Sequence, residues 1–204
     1  MKPAAHESKT RFLDAALEVI RTKGYAATTV DDLCAAAELT KGSFFHHFRS
    51  KEELALAAAD HFAAMADRLF ANAPYRSLAD PLARLLGYVD FRRAILQGEL
   101  PAYTCLLGTM VQETYETHPL IRKACDRHLR QHAASLTRDI AAAKKHYVPH
   151  ARWNVETLGM FTQATIQGAF ILDKASHGPE AADACLAHLR RYLVLLFQPT
   201  PPKE

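Results

Sequence analysis

The chain has 204 residues, 49% of them hydrophobic and 23% charged, so it can bury a real core without disulfide support. A formal net charge of +3 permits nucleic-acid binding without requiring it. The four cysteines, Cys34, Cys105, Cys125 and Cys185, lie far apart and form no C-x-x-C pair, which argues against a structural zinc framework and for reduced thiols.

The first residues, MKPAAHESKT, hold no apolar signal-peptide core, and no apolar run is long enough to span a membrane. A cytoplasmic protein of one or two domains is expected. Residues 1 to about 8 read as a solvated arm. From Lys9 to Lys23 the apolar residues Phe12, Ala15, Ala16, Val19 and Ile20 share one helical face, and Gly24 is its stop. Val30, Leu33, Cys34 and Ala37 then recur at i, i+3, i+4, i+7, behind Thr29 and Asp32 in capping-box spacing. Thr40 opens another short helix that sets Phe44 and Phe48 on one face, and Leu39 fills the angle between the two.

Two short helices with a tight connection make a helix-turn-helix, whose second helix can enter a DNA major groove. Thr40, Lys41, Gly42 and Ser43 form its first turn, where free N–H groups and the helix dipole favour a phosphate. Gly42 costs the helix up to about 1 kcal/mol against alanine, and close approach of a DNA backbone would explain it. His46, His47, Arg49 and Lys51 follow on the outward side. Through Glu53 the chain carries eight basic and eight acidic residues, so a DNA interface depends on where the charges point.

Ser50 to Glu53 is a second capping box, opening a helix of about twenty residues that carries Leu54, Ala58, Phe62, Met65 and Leu69 and reaches roughly 30 Å. Pro74 marks a break. Asp80-Pro81 starts the helix of Leu82, Leu85, Leu86 and Val89. Further helices are expected over about Ala102–Thr117, Leu120–Lys145, Asn154–Ser176 and Glu180–Phe197, before the tail PTPPKE. No segment shows strand alternation, so the fold class is all-α.

The stretch TVDDLCAAAELTKGSFFHHFRSKEEL resembles the DNA-binding segment of the tetracycline-repressor (TetR) family of transcriptional regulators, and Thr10-Arg11 through Gly24-Tyr25 resembles that family's first helix. The resemblance implies a three-helix DNA-binding domain over residues 1–53 and a larger helical effector-binding and dimerisation domain over 54–204, with the long fourth helix as lever. It implies a homodimer on a palindromic double-stranded operator, released by a small-molecule effector, and so a repressor. Its half-sites would lie about 34–36 Å apart or a multiple of that. Lys9, Thr29, Thr40 and Lys51 would meet phosphates, Lys41, Ser43 and His46 would reach base edges, and Gly42 and Phe45 would lie close to the duplex. Two positions depart from the family: Glu38 stands where glycine is usual, and Phe45 where a tyrosine hydroxyl commonly reaches a phosphate.

The later helices should hold the signal. Polar residues set in wide apolar stripes, Thr162, Gln163 and Gln167 on one helix and Tyr103, Glu113 and Tyr115 on another, suit an effector pocket, although surface or satisfied core positions explain each of them too. Cys105, expected in a first turn where N–H groups lower a thiol pKa, is similar to the cysteine of electrophile-sensing repressors; a small buried hydrophobe is the other reading, and Lys174 is a possible thiolate partner only if it comes near. No dinucleotide, P-loop, zincin or nucleophile-elbow motif is present, so no enzyme, cofactor or metal is expected, His46 and His47 pointing about 100° apart. The rivals are a small-molecule binding protein or enzyme without DNA binding, and a DNA binder that activates or lacks an effector.

Overall fold

The computed structural model describes residues 5–198. Residues 1–4 of the expected arm and the proline-rich tail from residue 199 lie outside them. Eleven α-helices occur among the described residues and no strand. They are α1 (Ala5–Lys23), α2 (Val30–Ala37), α3 (Lys41–His47), α4 (Lys51–Ala71), α5 (Pro81–Ala94), α6 (Leu100–Tyr103), α7 (Leu106–Thr114), α8 (Pro119–Ser135), α9 (Thr137–Tyr147), α10 (Val155–Ser176) and α11 (Glu180–Leu196), with a 3-10 turn at Pro74–Ser77.

The chain packs as two compact units. Among the described residues, one holds residues 5–68 with Glu99–His128, the other Leu69–Gly98 with residues 129–198. Packing therefore does not follow the division expected at residue 53: α6, α7 and the start of α8 cluster with the N-terminal helices. In the first unit Phe12 of α1 meets Phe44 and Phe48 edge-on, with centroids 5.5 and 6.3 Å apart, and Ile20, Leu33 and Leu54 close the core around them. In the second unit α5 and α11 pack together, as do α10 and α11, burying Leu85, Val89, Ile166, Leu186, Leu189 and Leu193.

Three expected boundaries change. α1 begins within the presumed arm, and buried Ser8 bonds His47 Nε2 at 2.6 Å. The helix expected over Ala102–Thr117 is two, because Thr104 and Cys105 are extended and Thr104 Oγ1 bonds back to the Leu100 carbonyl at 2.7 Å. The helix expected over Leu120–Lys145 breaks at Leu136. There Ser135 and Thr137 donate hydroxyls to the His132 and Ala134 carbonyls at 2.7 Å each, competing with the helical ladder. α10 fits at that break because Gly159 has no side chain: a Cβ would lie 2.9 Å from the Ala133 carbonyl oxygen.

Candidate nucleic-acid interface

Local capping shapes the helix-turn-helix. The Thr29 hydroxyl accepts from Asp32 N–H at 3.1 Å, and Thr29 N–H donates to Asp32 Oδ2 at 2.7 Å, so both ends of the box are made. Lys23 Nζ lies 2.6 Å from the same oxygen. With Thr29 it holds Asp32 well below the usual carboxylate range. α2 ends at Glu38, which takes the left-handed conformation at φ 52° although it is not glycine. Thr40 then caps α3 by accepting from Ser43 N–H at 3.2 Å.

The inward face of α3 is spent on Phe44, with Phe48 just beyond it. Its outward face carries Lys41, Gly42, Phe45 and His46, all exposed, with Thr40 ahead of them and Ser43 half-buried beside them. Lys41 Nζ pairs with Asp31 at 2.8 Å, both side chains well exposed. Phe45, 57% exposed, is a large apolar group with no burial to justify it. A Cβ at Gly42 would meet nothing nearer than the Thr40 hydroxyl at 3.7 Å, so the protein's own packing does not require the glycine. Thr29 and Lys9 are exposed too, Lys9 Nζ standing 5.8 Å over the Phe48 ring. His47 bonds Ser8 with its ring 4.9 Å from that of His46, and desolvation, with His46 and Lys9 adding, lowers its pKa below the usual histidine range.

Lys51, expected to meet a phosphate, has partners within the protein. Its ammonium donates to the Thr28 carbonyl at 2.8 Å, to Tyr25 at 2.9 Å and to Ala26 at 3.4 Å, and lies 4.4 Å from the Tyr25 ring centroid. Its charge ties the loop between α1 and α2 to the start of α4. Desolvation there lowers its pKa.

Glu113, expected at an effector, is drawn to that loop as well. Its Oε2 accepts from Ala26 N–H at 2.7 Å, and Gly24, at φ 87°, leaves room for the carboxylate where a Cβ would collide with it. Arg21 makes a second tie, donating to the Thr104 carbonyl at 3.2 Å. Cys105 is not in a first turn but is the N-cap residue of α7, half-buried, with no cap bond from its side chain. Burial pushes neighbouring Cys125 up to about 12, with Cys105 adding, so that thiol stays protonated. Thr162 is a satisfied core hydroxyl bonded to the Leu158 carbonyl at 2.9 Å, and Tyr115 is exposed. Gln163 is buried and its Oε1 has no hydrogen-bond partner among the described residues; Gln167 is half-buried. The expected effector residues are thus sorted by unit, Tyr103, Cys105 and Glu113 in the first and Gln163 and Gln167 on α10 in the second. Sequence reasoning missed the ties of Arg21, Lys51 and Glu113; Gly24 beside a loop was the one local signal for them.

Two family descriptions account for most of the chain: "Bacterial regulatory proteins, tetR family" matches residues 12–58, and "Tetracyclin repressor-like, C-terminal domain" matches residues 81–189. The chain belongs to the TetR family of bacterial regulatory proteins. Among its TetR relatives, the transcriptional regulator AcuR of Cereibacter sphaeroides is 36% identical over 113 residues, 53% of this chain and 48% of AcuR, so the matched stretch spans about half of that protein. The repressor DhaR of Mycobacterium sp. strain GP1 is 24% identical over 95% of this chain and 92% of its own. Among solved structures, a cysteine variant of the TetR-family regulator CifR, crystallised with double-stranded operator DNA, superposes with a TM-score of 0.77 at 18% identity, covering 93% of this chain and 98% of that one. These relatives are named as regulators, and TetR proteins are regulators, not enzymes. Among the described residues no helix is long and apolar enough to cross a membrane, and no cluster of three metal-ligating side chains occurs.

Proposed function

We propose that this protein is a homodimeric transcriptional repressor that binds a palindromic operator and is released from it by a small molecule. The observation that carries the reading is the outward face of α3, where Lys41, Gly42, Phe45 and His46 stay exposed and Ser43 half-buried, with the exposed Lys41–Asp31 pair and edge contacts of Phe45 to Phe44 and His46 to His47 as their ties. Family membership and the operator complex of CifR support it. Lys41, Ser43 and His46 read base edges, Thr29, Thr40 and Lys9 meet phosphates, and Phe45 lies against sugars or a thymine methyl.

The dimer reading draws on α10 and α11. Met160, Phe161, Ile171 and Leu172 are exposed on the first and Tyr192 and Leu195 on the second. Gly168 sits on the same α10 face, and a Cβ there would meet nothing within 4 Å, so its helix cost of up to about 1 kcal/mol is unexplained within one protomer. Close approach of a second copy explains it. Effector response draws on the buried, unpartnered Oε1 of Gln163, which a ligand hydroxyl or N–H would satisfy. Within the first unit, Glu113 and Arg21 tie the head to α7 and the residue before Cys105, so displacement of α7 is carried to the loop ahead of α2. An effector that weakens DNA binding by some factor is weakened by DNA to the same degree. The test is footprinting of the DNA upstream of the coding region with and without candidate small molecules. Two protected half-sites that vanish with one compound are expected; no protection of any palindrome would overturn the reading.

A further inference from the structure

Around His132 of α8 the second unit gathers more positive charge than it neutralises. Arg84 Nε and Arg76 NH1 share the buried Asp139 carboxylate at 2.7 and 3.5 Å. Arg92 of α5 has no carboxylate partner among the described residues. Its Nε donates to Tyr88 Oη at 3.1 Å, its NH2 donates to His132 Nε2 at 2.8 Å, and its guanidinium carbon lies 4.3 Å from the Phe70 centroid and 5.5 Å from that of Tyr88. Each of these partners is neutral. Desolvation, with Arg92 and Arg76 adding, pulls His132 down to about 3, so its imidazole is uncharged at neutral pH.

The hydrogen-bond inventory is also unbalanced. Tyr88 Oη stands 2.9 Å from the same His132 Nε2. A neutral imidazole nitrogen that accepts has one lone pair, which the guanidinium, a donor only, takes up; the Tyr88 hydroxyl, already accepting from Arg92 Nε, must share that lone pair or find another acceptor for its proton. The cluster holds more donors than acceptors, and NH1 of Arg92 adds two further donors. A carboxylate supplies about four acceptor sites and the missing charge, in the planar geometry a guanidinium matches. Arg92, His132 and Phe91 are partly exposed, whereas Phe70, Tyr75 and Tyr88 are buried. Phe91 and Phe70 meet edge-on at 5.7 Å.

We infer that Arg92, with Tyr88 and His132, binds a small carboxylate whose apolar body rests against the half-exposed Phe91. As the effector class, this rests on the regulator reading; as a binding site, it does not. Calorimetry on the full chain with benzoate, phenylacetate and butyrate, each against its amide, tests it. At least one carboxylate binds tenfold or more tightly than its amide, and Arg92→Gln erases that preference while helical content is kept. Arg92→Lys, which retains the charge but not the planar fork, keeps an intermediate preference, and in the unaltered protein the carboxylate shifts the His132 ring nitrogen resonances. Equal binding of acid and amide, no binding of any acid, or full preference in Arg92→Gln would overturn the inference. Release of the operator by a neutral compound while no acid binds leaves the regulator reading standing and sinks this one. Arg92-dependent acid binding without any footprint does the reverse.

Discussion

Lys41 and Lys51 are ten positions apart in one motif and lead opposite lives. Lys51 Nζ is enclosed by the carbonyls of Tyr25, Ala26 and Thr28, and its charge is consumed in holding a loop. Lys41 Nζ pairs with the exposed Asp31, a type of ion pair worth about 0–1 kcal/mol. The nearby glycines divide the same way. Gly24 is required by a positive φ and by the Glu113 carboxylate beside it, whereas a Cβ at Gly42 would make only ordinary contact with the Thr40 hydroxyl at 3.7 Å and the position has no unusual dihedral. A helix-turn-helix therefore contains two kinds of cation and two kinds of glycine, one set used up by the fold and one left over for a partner.

Removing the consumed lysine should break that contrast most severely. Lys51→Met strips three carbonyls of a charged donor, and a loss of about 2–3 kcal/mol is expected, since charge-assisted bonds here are partly exposed and not additive. Thermal unfolding would show a fall of roughly 5–10 °C for a chain of this size. An unchanged midpoint would mean that the ammonium is free to leave the loop. Lys41→Ala is the complement: stability within about 0.5 kcal/mol of the parent, and operator affinity reduced about tenfold, as loss of a base or phosphate contact predicts. Gel-shift titration at fixed salt measures it, and full affinity in this variant would remove Lys41 from the interface.

Gly42→Ala sharpens the contrast because its two effects have opposite signs. A methyl fits the protein's own structure, and replacing a glycine in the first turn of a helix should stabilise the fold by a few tenths of a kcal/mol, up to about 1. If a DNA backbone comes close at this turn, the same methyl weakens binding severalfold. A variant both more stable and equally tight on operator would show that the glycine serves no close approach.

The contrast also marks what the sequence could disclose. The all-α class, the caps at Thr29 and Thr40 and the buried Phe44–Phe48 face were legible, because each depends on residues three or four apart. The fate of Lys51 was not, since its carbonyl partners lie 23 to 26 residues away, and that of Glu113 still less, its partner being 87 residues away. The break at Leu136 hides for a related reason: Ser135 and Thr137 are tolerable inside a helix, and the approach of Gly159 on another helix is what goes with the interruption. Arg92 on α5 carried no motif at all. Its interest arises only from partners it lacks, and a missing counter-charge is invisible until every neighbour is placed.

The smallest expected effect concerns the turn itself. Glu38 holds φ 52°, where a side chain costs roughly 1–2 kcal/mol that glycine does not incur. Two terms oppose a gain from Glu38→Gly. The Arg11–Glu38 pair at 3.1 Å is lost, but Glu38 is 85% exposed and such a pair contributes about 0–1 kcal/mol. Glycine also widens the unfolded ensemble, by up to about 1 kcal/mol. The strain term is present in full in the folded state while the other two are partial, so a net stabilisation of a few tenths to about 1 kcal/mol is expected, or roughly 1–3 °C in the unfolding midpoint. Operator affinity should hold or rise slightly, because an exposed carboxylate leaves the neighbourhood of α3 without altering its outward face. A destabilised variant would mean that Arg11 and Glu38 do more for the turn than their exposure suggests; pairing Glu38→Gly with Arg11→Ala in a double-mutant cycle would then isolate their coupling from the backbone strain.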